Sequence, residues 1–287
     1  METILTGLAF PEGPRWHVDD GVGRFWFSDM HAHEVIALDP SNGVAEVVVA
    51  VPNQPSGLGW LPDGRLLVVS MVDRKVLRRE PDGRLVVHAD LSGFATFHCN
   101  DMVVDAAGRA YVGNFGYDLY DGAAVPVAAA IIRVDTDGSV AIAAPDLKFP
   151  NGTVITSDGR TLIVGESGGA CLTAFTVGDD GTLRDRRLWA ALPKGCVPDG
   201  ICLDAEGAIW SACPRTGRVL RIAEGGQVLD ELQVGAGRTA FACMLGGDDR
   251  RTLFVCAATT SHATEAAETR GGVIEQARVD VPGAGLP

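Results

Sequence analysis

The sequence has no excess of basic residues and no long apolar segment. It carries 24 Lys and Arg against 37 Asp and Glu, which gives a net charge of −13 at pH 7. Phosphate backbones and acidic lipid headgroups repel such a chain, so neither a nucleic acid nor an anionic membrane surface is expected as a partner. No segment approaches the roughly 18 consecutive apolar residues of a membrane-spanning helix.

Seven cysteines are present, but no two of them form a C-x-x-C pair. A zinc ribbon or a thioredoxin-like redox site is therefore not expected. Most of the cysteines lie within apolar runs such as "LFVCAA" and "GICLD", where a free buried thiol is the usual state. The N-terminal segment "METILTGLAF" has neither a basic start nor a long apolar stretch, so it does not resemble a signal peptide. A reduced, cytoplasmic protein is the simplest interpretation.

Apolar residues at helical spacing are also nearly absent, and "SHATEAAETR" at 261–270 is the one stretch compatible with a helix. Instead, a unit recurs in which a polar residue and a glycine precede a short apolar strand, a D-G turn and further apolar strands. Six such units begin at residues 12, 56, 100, 151, 199 and 241, which are 44, 44, 51, 48 and 42 residues apart. A period of about 40 to 50 residues with four strands per unit is typical of a β-propeller blade.

The repeat predicts an all-β fold, a six-bladed β-propeller with four-stranded antiparallel blades, formed by residues 1–287 as a single domain. We expect the two ends of the chain to share one blade, with "ETILTGLAF" paired beside "GVIEQARVDV". Two β-sandwich domains are the alternative at this length. That arrangement predicts a break in composition near the middle of the sequence, and none is present.

Oxygen-bearing side chains occupy one shared position in four of the repeats. They are Glu12, Asn100, Asn151 and Asp199. A turn glycine follows Asn100, Asn151 and Asp199 eight residues later. In the first repeat the offset is three residues longer, and the turn glycine that follows Glu12 is taken as Gly23. Equivalent positions lie at equivalent places around a propeller axis, so these side chains should converge at one mouth of the central channel. Ser56 and Phe241 occupy the two remaining positions and cannot be strong ligands.

Two carboxylates and two amide oxygens around one point describe a divalent-cation site. An all-oxygen donor set favours calcium, with magnesium, manganese, zinc and iron(II) as alternatives. The competing interpretation is that these residues only cap turns between blades, because Asn-Gly and Asp-Gly are favoured turn pairs.

Several segments resemble one known family. They are "PEGPRW" at 11–16, "ND" at 100–101 with "DAAGRAYVG" after it, "FPNG" at 149–152, "PDGICLDAEGAIW" at 198–210 and the tail "GGVIEQARVDVPG". In this order and spacing they resemble the senescence marker protein, gluconolactonase and luciferin-regenerating enzyme (regucalcin-like) family. The resemblance implies a six-bladed propeller in which Glu12, Asn151 and Asp199 bind the metal. It also implies that Asp199 is the catalytic base and that Asn100 contacts the substrate or a water on the metal.

One position departs from the family pattern. Sugar-lactone members often have arginine two residues before the asparagine of "ND", whereas this chain has His98. We assign His98 to substrate binding, with a packed ring beside Asn100 as the alternative. Phenylalanines are also expected near the channel mouth, at positions 97, 115, 149 and 241. These residues favour a less polar lactone than gluconolactone.

Two further motifs are interpreted as structural. "GESGG" at 165–169 fits the G-x-S-x-G nucleophile motif, but that motif needs a strand-to-helix turn. A strand, "CLTAFTV", follows here, so Ser167 is predicted to lie in a hairpin turn. The pair His31 and His33 has no evident third ligand and is expected to be a solvated loop pair.

The sequence therefore predicts a metal-dependent hydrolase that opens a sugar lactone or a less polar cyclic ester. The metal would polarise the carbonyl and activate a water, and Asp199 would accept the proton. The predicted partner is a small-molecule lactone, and the oligomeric state is left open. The alternatives are a non-catalytic propeller that binds a metal and a small ligand, or a hydrolase of other esters such as phosphotriesters. A protein-interaction propeller is disfavoured because the "GH…WD" repeat signature is absent.

Overall fold

The computed structural model describes residues 1–19 and 21–286, which form six four-stranded antiparallel sheets. The innermost strands contact one another in a closed circle, so the sheets are the blades of a six-bladed β-propeller around a central channel. The predicted fold class is therefore confirmed. Within these residues no helix is long or apolar enough to cross a bilayer.

Each blade runs from an inner strand at the channel to an outer strand at the rim. The N-terminal strand is β1 (Glu2–Leu8). Blade one contains β2 (Pro11–Asp19), β3 (Val22–Asp29), β4 (Glu34–Asp39) and β5 (Val44–Ala50). Blade two contains β6 (Pro55–Trp60), β7 (Leu66–Ser70), β8 (Lys75–Arg79) and β9 (Leu85–Asp90). Blades three and four contain β10 (Cys99–Val104), β11 (Ala110–Asn114), β12 (Ala129–Val134) and β13 (Val140–Leu147), then β14 (Pro150–Ile155), β15 (Thr161–Glu166), β16 (Cys171–Val177) and β17 (Leu183–Ala191). Blade five contains β18 (Ile201–Leu203), β19 (Ile209–Cys213), β20 (Arg218–Ile222) and β21 (Val228–Gln233). Blade six contains β22 (Thr239–Gly246), β23 (Thr252–Ala258) and β24 (Gly272–Arg278), with β1 outermost; a 3₁₀ turn (Met30–Ala32) and helix α1 (Ala263–Thr269) complete the elements.

The two ends of the chain close the ring, as predicted. Strand β1 pairs antiparallel with β24, with Thr3 opposite Glu275 and Thr6 opposite Val273. After β24 the chain crosses the face of the ring opposite the predicted donors. There it forms bridges between Gly283 and blade five and between Leu286 and blade four. The stretch at 261–270 contains α1, the helix that its composition allowed.

The hydrophobic core lies between neighbouring blades rather than at the channel axis. Between blades six and one, the ring of Trp16 stacks on Phe254 at 5.8 Å, and Phe25 packs against Phe254 at 4.7 Å. Comparable apolar clusters fill the other blade interfaces. Because each sheet is apolar on both faces, adjacent blades bury each other, and this is why a β-rich chain of this length closes into a ring.

Small residues let the inner strands approach each other closely around the channel. A Cβ atom at Gly152 would lie 2.5 Å from the carbonyl oxygen of Asp199 in the next blade. A Cβ atom at Gly13 would lie 2.7 Å from the carbonyl oxygen of Ser56. Only a residue without a side chain tolerates such contacts. The glycine that follows most of the shared positions is therefore required by the packing of the ring.

Two details of the predicted register are corrected. In blade one the turn glycine is Gly21, whose φ of 80° is left-handed, and Gly23 lies within β3. The donors were expected to precede the inner strands, but Glu12, Asn100 and Asn151 lie within β2, β10 and β14. Asp199 does precede its strand, β18.

Candidate metal and active site

The predicted donors lie where the inner strands depart from regular pairing. In blade one the register shifts between Glu12 and Arg15, and blades three and four show the same irregularity after Cys99 and after Pro150. Such bulges redirect side chains that a regular strand would direct into the blade interface. In blade five the backbone N–H of Asp199 donates to the carbonyl of Ala212 at 3.0 Å, which fixes the residue at the same mouth.

A chain of hydrogen bonds joins the side chains at the shared position of blades two to five. Ser56 Oγ donates to Asn100 Oδ1 at 3.2 Å, and Asn100 Nδ2 donates to Asn151 Oδ1 at 2.9 Å. Asn151 Nδ2 in turn donates to Asp199 Oδ1 at 2.5 Å. The equivalent positions therefore do converge. Each residue therefore contacts an equivalent residue in a neighbouring blade, which capping of its own turn alone does not predict.

Glu12 completes the group from blade one. The backbone N–H of Gly13 donates to Glu12 Oε2 at 2.9 Å. Burial raises the pKa of Glu12 well above its usual range, and repulsion from the nearby Asp199 raises it further. Burial also raises the pKa of Asp199 to about 8, against the opposing effect of the hydrogen bond from Asn151. Two carboxyl groups thus share a confined space in which their negative charges are not compensated.

The residues present fit a divalent cation. Neither Glu12 nor Asp199 has a basic side chain within 4.0 Å in the described residues. A cation between them would therefore offset both the energetic cost of burying two carboxylates and their mutual repulsion. Residues 1–19 and 21–286 contain no group of three His, Cys, Asp or Glu side chains that could hold a metal ion, so a cation here would need a further ligand of another kind, such as an amide oxygen. A half-turn of the Asn151 amide would direct Oδ1, in place of Nδ2, toward Asp199.

Ser167 is adjacent to this site, although sequence reasoning gave it no role there. Asn151 Nδ2 donates to Ser167 Oγ at 3.2 Å, and Ser167 Oγ donates to the carbonyl of Pro198 at 2.7 Å. The residue lies in the hairpin turn between β15 and β16, where Glu166 pairs with Cys171, as predicted. Its hydroxyl therefore helps to position Asn151.

The donors form the floor of a cavity of about 390 Å³, a size that suits a small ligand. Its walls are largely aromatic: Phe10, Phe115, Phe149, Phe241 and Tyr117. Phe97 packs against this cluster from outside the cavity. The predicted apolar surroundings are confirmed.

A long connection between β11 and β12 covers part of the cavity. It contributes Tyr117, Leu119 and Tyr120 to the wall. The Tyr120 hydroxyl donates to the carbonyl of Ser261, before α1 in blade six, at 3.4 Å. The same carbonyl lies 3.1 Å from Nε2 of His31. His31 is buried, so the prediction that it is solvated was wrong; its contacts with blade six explain its burial.

His98 lies beside the cavity and is not among the residues that line it. Its ring stacks on Phe97 at 4.1 Å and lies 6.2 Å from the ring of Phe115, which does line the cavity. That His98 contacts the substrate stays a prediction. Such a contact would require a ligand that extends beyond Phe115.

Two buried polar networks support the donors, and sequence reasoning missed their partners. Asp29 is fully buried and accepts hydrogen bonds from the backbone N–H groups of Ala9 and Phe10 at 3.0 and 2.7 Å. These bonds fix the backbone segment that leads into Glu12. Arg15 donates to Asp101 Oδ1 at 2.6 Å across the channel. The arginine in "PEGPRW" and the acidic residue after Asn100 were the signals available in the sequence.

Comparison with known proteins agrees with this architecture. The family described as SMP-30/Gluconolactonase/LRE-like region matches residues 10–259. The chain is 27% identical over 282 residues to 6-deoxy-6-sulfogluconolactonase of Pseudomonas putida, covering 96% of this chain and 93% of that protein. It is 27% identical over 290 residues to the pentonolactonase XacC of Haloferax volcanii, covering 99% and 95%. Among solved structures, a gluconolactonase of Xanthomonas campestris superposes with a TM-score of 0.74 at 25% identity, covering 99% of this chain and 89% of that chain.

Proposed function

The chain belongs to the SMP-30/gluconolactonase/LRE-like family, and we propose that it is a metal-dependent hydrolase that opens a lactone ring. One observation supports the proposal: Glu12 and Asp199 come from separate blades to one cavity floor, and within residues 1–19 and 21–286 neither forms an ion pair with a basic side chain. The relatives named for lactone hydrolysis supply the reaction class.

Glu12, Asn151 and Asp199 would hold the metal. A divalent cation at this point supplies a Lewis acid for the lactone carbonyl and favours the ionisation of a water. The donors are carboxylate and amide oxygens, so calcium suits the site better than a metal that prefers thiolate or imidazole.

The side chains at the floor would carry out the proton transfers. Asp199 accepts a proton from the attacking water as the water oxygen adds to the carbonyl carbon. The ring C–O bond then breaks, and the leaving oxygen takes up that proton to give an open hydroxy acid. Asn100 lines the cavity beside Asn151, where its amide can hydrogen-bond a substrate oxygen.

The aromatic walls bear on the choice of substrate. Phe115, Phe149 and Phe241 present carbon surface to the ligand, whereas a sugar lactone has hydroxyl groups on most of its ring carbons. We therefore expect higher kcat/KM values for cyclic esters with few hydroxyl groups than for gluconolactone. A lactone panel that includes aldonolactones and alkyl-substituted lactones checks this order.

The mechanism is tested by Asp199→Asn, which preserves the shape of the side chain and removes its charge and basicity. We expect kcat to fall by at least about 100-fold, in the range typical of a lost general base. Hydrolysis is followed in a pH-stat, with a phosphotriester in the panel for the alternative ester substrate. The control is Asp248→Asn, an exposed aspartate remote from the cavity, which should retain wild-type rates. Full activity in a folded Asp199→Asn protein would reject the mechanism.

Metal dependence is tested separately. Protein purified without chelators is submitted to elemental analysis and then assayed before and after treatment with EDTA. We expect activity to disappear with the metal and to return with calcium. Metal content without turnover of any ester would instead support the non-catalytic binding protein.

A further inference from the structure

A single basic side chain lines the cavity within the described residues, and it is Arg215. It lies with Pro214 in the turn between β19 and β20. Ala212, near the end of β19, accepts the backbone hydrogen bond from Asp199, so the turn that follows returns to the mouth where the donors meet. Arg215 therefore belongs to the wall of the cavity whose floor contains the two carboxylates.

Arg215 differs from its neighbours in having no partner. Arg218, three residues later, pairs with Glu231 at 2.9 Å, and most other arginines have a carboxylate within 4.0 Å. Within residues 1–19 and 21–286, the Arg215 side chain makes no ion pair and no hydrogen bond. Its donors are free to bind a ligand in the cavity.

We infer that Arg215 binds an anionic substituent on the substrate, such as a carboxylate, sulfonate or phosphate group. The inference rests on the proposed function, because it concerns the ligand of the same cavity. A guanidinium presents paired N–H donors that match the oxygens of these groups. The metal would neutralise Glu12 and Asp199, and this would remove the repulsion that an anion meets at the floor.

The rest of the cavity sets the orientation of such a substrate. Phe115 and Phe149 form a wall without charge, so an anionic group directed toward them would lose its hydration without compensation. Directed toward Arg215, the same group keeps a charged partner and remains close to solvent. The lactone ring would then lie between Arg215 and the aromatic wall, with its carbonyl over the floor.

The test uses two probes that the enzyme cannot hydrolyse: a six-membered lactam with a carboxylate substituent and the same lactam with a carboxamide. Their Kd values are measured calorimetrically in the presence of calcium, so the result does not depend on turnover. Wild-type protein should bind the carboxylate more tightly. Arg215→Gln should weaken the carboxylate at least tenfold and the carboxamide less than threefold. Arg215→Lys, which keeps the charge, should recover part of the loss.

The matched control is Arg160→Gln, because Arg160 is an exposed arginine in the turn between β14 and β15, at the opposite end of its blade. It should leave both Kd values unchanged, which separates local binding from overall charge. Wild-type protein that binds the carboxylate no better than the carboxamide overturns the inference. Equal weakening of both probes in Arg215→Gln also overturns it. Failure of Asp199→Asn to reduce lactone hydrolysis would overturn the proposed function alone.

Discussion

Replacing Arg15 should destabilise the propeller far more than replacing an exposed arginine. Arg15 is 2% exposed, and its guanidinium connects three blades. From blade one it donates to the carbonyl of Leu58 in blade two at 2.9 Å and to Asp101 Oδ1 in blade three at 2.6 Å. It also donates to the carbonyl of Met102.

The magnitude follows from what Arg15→Ala leaves behind. Asp101 is 7% exposed and would become a buried charge without its counter-ion. Removal of one partner of a buried ion pair typically costs about 3 to 5 kcal/mol. Since the total stability of a globular domain is about 5 to 15 kcal/mol, the variant should lose a large part of its free energy of unfolding.

Urea denaturation followed by tryptophan fluorescence measures this loss, because the chain has five tryptophans. The exposed pair Arg84 and Asp82 supplies the control, and Arg84→Ala should unfold close to the wild-type midpoint. The double variant Arg15→Met with Asp101→Asn removes both charges and keeps an acceptor for the N–H of Met102. It should recover much of the stability lost in Arg15→Ala. An Arg15→Ala midpoint equal to that of Arg84→Ala would refute the reasoning.

Three further predictions concern the site and its support. Calcium added to EDTA-treated protein at 100 times its Kd should raise the free energy of unfolding by about 2.7 kcal/mol, which thermal denaturation measures. Asp199→Asn should abolish this stabilisation by calcium. Gly152→Ala should cost about 1 to 3 kcal/mol in urea denaturation through overpacking, whereas Gly93→Ala, where a Cβ meets nothing within 4 Å, should be close to neutral. Ser167→Ala should weaken calcium binding about tenfold by releasing Asn151 and should retain measurable lactonase activity. Complete loss of activity with unchanged calcium affinity would show that Ser167 is a nucleophile.

The fold could be predicted because its information is local and repeated. Each blade carries the same order of inner strand, turn and outer strands, so the spacing of Asn100, Asn151 and Asp199 already gives their equivalence. Equivalence around an axis then implies convergence, and the hydrogen bonds between these side chains bear this out. The exact turn in blade one could not be placed, because Gly21 and Gly23 both fit the pattern and only strand pairing distinguishes them.

Contacts that occur in a single pair of blades are not repeated, and these were missed. Arg15 and Asp101 are separated by 86 positions, and no sequence motif around either residue indicates that the two form a pair. The burial of His31 depends on Ser261, which is 230 positions away. Periodicity predicts which residues are equivalent, but it contains no information about a partner that occurs in a single pair of blades.

The position after each donor links the fold to the chemistry. Glycine follows Glu12, Asn151 and Asp199, because the inner strand of one blade contacts the backbone of the next. The same close approach places donors of adjacent blades within hydrogen-bonding distance, so the packing of the ring sets the dimensions of the site. Asn100 is followed by Asp101 instead, and Arg15 crosses the channel to neutralise it. The floor is therefore constrained by the backbone. In the proposed enzyme, replacements in the walls, to which loops contribute Tyr117 and Arg215, would change substrate preference without disturbing the floor.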